Sequence, residues 1–182
     1  MFASLSIRTK ITIVVSFLLL AMSAMGALAI KQMYTINGAT SDIVTSWLPS
    51  VRSLGAVRAA TISYRSVVRG HLLATDAADT KVQDDTLVRY AEMLDKARKT
   101  YEPMISSPEE RAMYNEFSKL WSEYIVALQP VLALSRKNAR DEARDMNVKV
   151  NQIGFKADEA LQKDVDLNNK GALAAGELAT DS

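Results

Sequence analysis

The chain has 182 residues, 48% hydrophobic and 24% charged, with a formal net charge of +1, which fits one folded domain plus an anchor and, with no Lys/Arg cluster, offers no face to nucleic acid. The absence of cysteine excludes disulfides, thiolate catalysis and cysteine-based metal sites, and a single histidine, His71, excludes metal chemistry needing two imidazoles. Sparse glycine (7) and proline (4) beside plentiful Ala, Leu, Met, Glu, Lys and Arg favour long helices over sheet.

Residues 1–10 form a short basic N-terminus, and Ile11 to Ile30 follows without a charged residue. At roughly 1.5 Å per residue that run spans about 30 Å, the thickness of a bilayer's hydrocarbon core. Arg8, Lys10 and the free amino terminus precede it and Lys31 alone follows, so the positive-inside rule places the N-terminus in the cytoplasm. Ala27-Leu28-Ala29 resembles a signal-peptidase site, but the apolar run is longer than the core of a cleavable signal. Under either reading the remainder is exported.

Residues 31–182 carry heptad spacing in four successive segments, predicting helices over about 31–74, 79–105, 108–138 and 139–182. The second seam reads Leu87, Tyr90, Leu94, Ala97, Tyr101, Met104, and the third Met113, Phe117, Leu120, Tyr124, Ala127, Val131, Leu134. The fourth reads Met146, Val150, Ile153, Ala157, Ala160, Leu167, Ala174 and Leu178, interrupted by Asp164 and Gly171. Ala74 to Asp79 is a polar break. Ser107-Pro108-Glu109-Glu110 is a helix start with a capping box, and Asn138 is placed to cap the fourth helix. Pro49 and Pro130 lie inside helical pattern and should bend it. Connections this short give an all-α, antiparallel up-down-up-down four-helix bundle.

The first exported helix has the stripe Val51, Leu54, Arg58, Ile62, Arg65, Arg69, Leu72. Arg58, Arg65 and Arg69 fall within about 40° of one another, on the side of the apolar members, and span about 16 Å. Charged side chains are seldom buried unpaired. One explanation is structural: the arginines snorkel at the stripe's edge or pair with Asp or Glu of a neighbouring helix. The other is an anion site, because guanidinium forks hold carboxylates bidentately. Counting back along the chain puts Asn147 to Gln152 of the fourth helix, Asn151 among them, and Gln129 of the third at that level. His71 lies on a different face and reads as a surface or loop-proximal histidine. Tyr64, Trp121, Tyr124 and Phe155 read as packing residues, and Trp47 as packing near the base of the bundle.

The run Ser6-Ile7-Arg8-Thr9-Lys10 leading into the anchor, then Trp47-Leu48-Pro49-Ser50-Val51, then Arg65-Ser66-Val67-Val68-Arg69-Gly70-His71-Leu72-Leu73 resembles the sensing region of methyl-accepting chemotaxis proteins. The resemblance implies a periplasmic homodimer anchored in the inner membrane, with ligand between the first and fourth helices and arginines from both subunits. Arg65 and Arg69 match the paired arginines of the aspartate receptor. A further arginine of that receptor falls on Ala60, with Arg58 nearby, so aspartate itself is in doubt as ligand. The second span and the cytoplasmic signalling hairpin of that family are not in the sequence, which reads as stopping short of them at Ser182.

The leading expectation is therefore a chemoreceptor sensing region that binds a small anion, an amino acid or organic acid, and signals across the membrane. Cytoplasmic signalling partners would be reached only beyond Ser182. The same bundle attached to a histidine kinase or diguanylate cyclase is the alternative. No cofactor is implied; a His/Met-ligated haem would be the only haem possible. No nucleophile–base pair or phosphate-binding loop points to an enzyme.

Overall fold

The computed structural model describes residues 6–180, so the amino terminus and the expected stopping point at Ser182 lie outside the described residues. The order is α1 (Ile7–Asp42), a π-helical segment (Ile43–Trp47), α2 (Leu48–Leu73), α3 (Ala77–Tyr101), a 3-10 turn (Glu102–Met104), α4 (Pro108–Arg136) and α5 (Arg140–Thr180). The all-α four-helix architecture is as the heptad spacing predicts, with no strand among the described residues. Two compact units divide the chain. One contains α1 and α5 from Leu173 onward; the other runs from Val44 to Ala172.

In the first unit most apolar side chains of α1, among them Phe17, Leu20 and Met25, are exposed. Ser6 caps the helix, its hydroxyl accepting the Thr9 amide at 3.3 Å. A helix apolar all round buries that surface only in lipid or against other protein. By length and composition α1 can cross a membrane.

The second unit is the bundle. α2 buries Ser50, Leu54, Val57, Thr61, Tyr64, Val68 and His71, and α4 buries Tyr114, Phe117, Trp121, Tyr124, Leu128, Val131 and Ser135. Four aromatics make a spine along α4, with successive ring centroids 5.9, 6.4 and 5.1 Å apart from Tyr114 to Tyr124. A fully buried Phe or Leu there contributes about 1.5–3 kcal/mol relative to exposure. α3 adds Leu87, Leu94 and Tyr101, as its seam predicts.

Elsewhere the expected seams hold in part: Leu54, Arg65, Phe117, Tyr124, Val131, Val150, Ala157 and Ala160 are buried as expected, and several positions between them sit one residue off. On α2 the exposed Arg58 and Ile62 flank the core instead of lining it, and on α4 Met113, Leu120, Ala127 and Leu134 flank Tyr114, Trp121 and Leu128. On α5 the buried line runs Ala143, Asn147, Val150, Gly154, Ala157, Leu161, Asp164, Asn168, while Met146 is exposed. Asp164 is thus part of the seam rather than a break in it. Gly171 is likewise a seat: a Cβ there would stand 2.3 Å from the Trp47 ring, so the missing side chain admits the indole.

The ends of the helices follow local chemistry. Asp76 caps α3 by accepting the Asp79 amide at 2.8 Å. Ser107 caps α4 by accepting the Glu110 amide at 3.1 Å, and Glu110 reaches back to the amide of Ser106 at 2.8 Å. Pro103 has no N–H, and α3 tightens to a 3-10 turn there. Asn138 does not cap α5. It has φ 61°, and its amide and that of Ala139 return to Ser135 and Leu134, a Schellman ending of α4 that Asn tolerates in the left-handed region. Pro130 sits on the exposed side of α4, where water can serve the carbonyl it leaves free, and the helix continues through it.

Candidate functional site

Arg65 is the arginine that α2 carries into the interior, 6% exposed, between the buried Tyr64 and Val68 turns. Its guanidinium pairs with the carboxylate of Asp158 on α5 and lies 4.4 Å from the centroid of the Phe155 ring. Gly154 makes the room: a Cβ at that position would come within 3.0 Å of Arg65 Nε and 3.2 Å of the Tyr124 ring. One turn of α5, Gly154 to Asp158, thus supplies space, an aromatic face and a counter-charge to a single arginine. Such spacing follows from the helical i, i+4 relation.

The arrangement is short of partners. Arg65 Nε, Asp158 Oδ1 and the Tyr124 hydroxyl are buried without a hydrogen-bond partner, as is Asn147 Oδ1 earlier on α5. A close ion pair ordinarily pulls a carboxyl down. Burial instead pushes Asp158 up, and the attraction of Arg65 and Arg58 does not overcome it. Desolvation outweighs pairing because one carboxylate oxygen goes unserved. Burial likewise pushes the Tyr124 hydroxyl up, against the opposing pull of Arg65 and Arg69. A buried cation with an incompletely satisfied partner is a site at which an incoming anion could compete.

The three arginines therefore bear on one place in different ways. Arg65 is in contact; Arg58 and Arg69 are exposed on the same flank, and their fields reach Asp158 and Tyr124. Asn151 is half-buried on α5, one turn before Phe155. Gln129 is not brought to the arginines. Its exposed amide donates to the Ile125 carbonyl at 3.1 Å, and the residue lines a groove facing Asp84, Val88 and Arg136. The sequence-level count placed it by height along the bundle, which does not fix the face. Gly154, Phe155 and Asp158 were not anticipated as a group. The signal available was a glycine followed by an aromatic and an acid within one turn.

His71 is a correction. It is buried, with Nδ1 2.8 Å from Ser135 Oγ and Nε2 3.2 Å from Asp84 Oδ1, and Ser135 donates to the His71 carbonyl at 3.0 Å. Asp84 also accepts two hydrogen bonds from Arg136, which hold its carboxyl below the usual range. The histidine occupies a heptad core position of α2, seven residues after Tyr64, and the polar network satisfies it there. A separate groove of about 630 Å3 runs between α2 and α3, lined by residues including Leu48, Arg52, Met93 and Met104. It is shallow and apolar and lacks the buried charge that marks the arginine site.

Among the described residues the chain thus combines one helix long and apolar enough to cross a membrane with a four-helix bundle that buries an under-satisfied arginine. The chain belongs to the family described as the four helix bundle sensory module for signal transduction, which matches residues 4–181. No curated protein and no solved structure matches it significantly.

Proposed function

We propose that this is the extracytoplasmic sensing region of a transmembrane chemoreceptor, and that it binds a small anion, an amino acid or organic acid, at Arg65. The observation that carries the reading is the Arg65–Asp158 pair: a buried guanidinium whose internal carboxylate leaves both groups with an unpartnered atom. A ligand carboxylate that reached Arg65 would take the place of Asp158. Arg58 and Arg69, exposed on the same flank, would supply attraction and, in a homodimer, contacts across the interface. Asn151 stands within a turn of the site as a further polar contact; Gln129 would contribute only if the α4 face were also engaged.

Signalling follows from the exchange. Asp158 holds α5 to α2, so displacing its carboxylate releases one tie between those helices and shifts the balance between two packings. α1, preceded by Arg8 and Lys10, would hold the receptor in the inner membrane with its N-terminus in the cytoplasm. The test is a thermal-shift screen of the membrane-reconstituted chain against amino acids and di- and tricarboxylates, since binding raises apparent stability. A hit whose effect disappears in Arg65→Ala supports the site. Hits that survive Arg65→Ala place the ligand elsewhere.

A further inference from the structure

A second buried polar cluster lies where the α3–α4 connection meets α5. Tyr101 of α3, Glu110 of α4, and Asp164 and Asn168 of α5 are all buried, Tyr101 and Asp164 completely. The Tyr101 hydroxyl lies 2.7 Å from Glu110 Oε1 and 2.8 Å from Asp164 Oδ1. The Asn168 amide nitrogen lies 3.1 Å from each of those same oxygens.

Counting hydrogens decides what this geometry requires. A phenol has one hydrogen and can donate to only one of two carboxylates. The Asn168 amide carries two, and it also faces the Asp164 carbonyl at 3.1 Å. Two ionised carboxylates are therefore left one donor short at Tyr101. A proton on one carboxyl completes the chain: that carboxyl donates to the Tyr101 oxygen, and Tyr101 donates to the other.

The two acids are not equivalent. Glu110 Oε2 accepts from the Ser106 amide at 2.8 Å and lies 3.3 Å from the Ser106 hydroxyl. Burial pushes Glu110 up, but the Ser106 amide, Tyr101, Asn168 and the Ser107 amide together hold it below the usual range. Asp164 Oδ2 is buried with no partner. A charge spread onto an unserved, buried oxygen is costly, so the proton belongs on Asp164. Burial and the charge of Glu110 push Asp164 up to about 6, against the hydrogen bonds of Tyr101 and Asn168, which lower it. The groups acting on it are Tyr101 from α3, Glu110 from α4 and Asn168 from its own helix. α2 contributes no ionisable side chain to the cluster among the described residues. The nearby Arg98 and Glu102 engage Tyr114 instead.

We propose that Asp164 is a proton-binding site through which the receptor reads external acidity, as an input separate from the anion. With the proton in place the cluster ties α5 to both ends of the α3–α4 connection. When it leaves, two carboxylates face each other across one hydroxyl, and the tie becomes repulsive. Asp164 lies six residues after Asp158, about 9 Å along the same helix, so proton and anion act on one element. Any coupling between them is reciprocal, the anion altering proton affinity by the same factor as the proton alters anion affinity. The proposal does not depend on the anion site: the first measurement uses no ligand.

The test is a pH titration of the full chain in lipid nanodiscs, reading the infrared carbonyl stretch of protonated carboxyls and, in parallel, tryptophan emission. Trp47 packs at Gly171, seven residues beyond Asp164, and so reports on α5. The expected result is a protonated-carboxyl band that disappears with a midpoint near 6, with an emission change that follows it, both missing in Asp164→Asn. Should Asp164→Asn fail to fold, Glu110→Gln serves: removing that charge must lower the midpoint toward ordinary carboxylates. Loss of the band at the usual value of about 4, or a band unchanged in Asp164→Asn, overturns the site. A midpoint near 6 with no accompanying emission change overturns its role as an input.

Discussion

Asp158 and Asp164 are two carboxyls of one helix, both drawn into the bundle and both pushed up by burial, yet solved differently. Asp158 retains 29% side-chain exposure and faces a cation. Asp164 is fully buried, has no cation, and shares a hydrogen-bond chain with a second acid. A carboxylate paired with an arginine invites exchange for another carboxylate. One sharing a phenol with a glutamate invites exchange of a proton. The difference lies in what stands opposite the acid, and it separates an anion site from a proton site about two turns apart.

The largest effect should come from making Asp158 resemble Asp164. Arg65→Ala leaves a mostly buried carboxylate unpaired, which costs several kcal/mol in fully buried pairs and here, with Asp158 partly exposed, about 1–3 kcal/mol. Without Arg65 the Asp158 carboxyl is raised further above its unfolded value. The group's contribution is then present at low pH and lost as pH rises, so the deficit in thermal melts should be greatest near pH 8 and shrink near pH 5. An equal loss at all pH values would mean that packing, not charge, is what Arg65 supplies.

Asp164 has the same sign and no cation to remove. A carboxyl held at about 6 rather than 3.8 confers stability below its unfolded value that disappears as pH rises through about 6, an effect of about 3 kcal/mol at most. Glu110, held low, acts oppositely: its contribution is present above its unfolded value and lost as pH falls. Asp164→Asn should therefore flatten the decline between roughly pH 5 and pH 8, and its melts should exceed wild type at the alkaline end. If Asp164→Asn and wild type follow parallel curves, Asp164 does not carry the proton.

Gly154→Ala sharpens the Asp158 side of the comparison. The added methyl crowds Arg65 Nε and the Tyr124 ring, an overpacking cost of about 1–3 kcal/mol, offset by about 1 kcal/mol of helix propensity. A net loss of about 1 kcal/mol with a displaced Arg65 is expected, and anion binding should suffer more than the melt. The smallest effect belongs to Arg69→Ala: exposed and without an ion pair among the described residues, it should alter stability by less than about 0.5 kcal/mol. Arg98→Ala is a less silent control, because Arg98 donates to Tyr114 and Ser118, both at 3.0 Å.

The helices were legible because 3-and-4 spacing is a property of the whole segment. Which residue of each pair turned inward was less so. On α5 the apolar Met146 and Ile153 drew the expected stripe one position from Asn147 and Gly154, and Asp164 was read as an interruption. Hydrophobicity points away from an interior position held by a polar residue or a glycine, so Asn147, Gly154 and Asp164 were misplaced while Tyr101, an apolar ring with a polar tip, was found. On α2 the same displacement put Arg58 and Arg69 on the core side and hid His71, although Arg65 itself was found. The capping box at Ser107 was readable because it is local; the partner of Arg65 was not, because it lies 93 residues along the chain.

The central claim is that Arg65 exchanges an internal carboxylate for a ligand's. Calorimetric titration of the reconstituted chain with the tightest-binding amino or organic acid from the screen, in wild type and in Arg65→Ala with Asp158→Ala, tests it most directly. The double substitution removes both members of the pair, so no unpaired charge confounds the fold. The account predicts weaker affinity in the double variant, by less than the ten- to hundredfold that a lost hydrogen bond to a charged group is worth, about 1.5–3 kcal/mol, because the wild type gives up the Arg65–Asp158 pair in the exchange. Unchanged affinity in the double variant would contradict it and leave Arg65 and Asp158 as a structural pair alone.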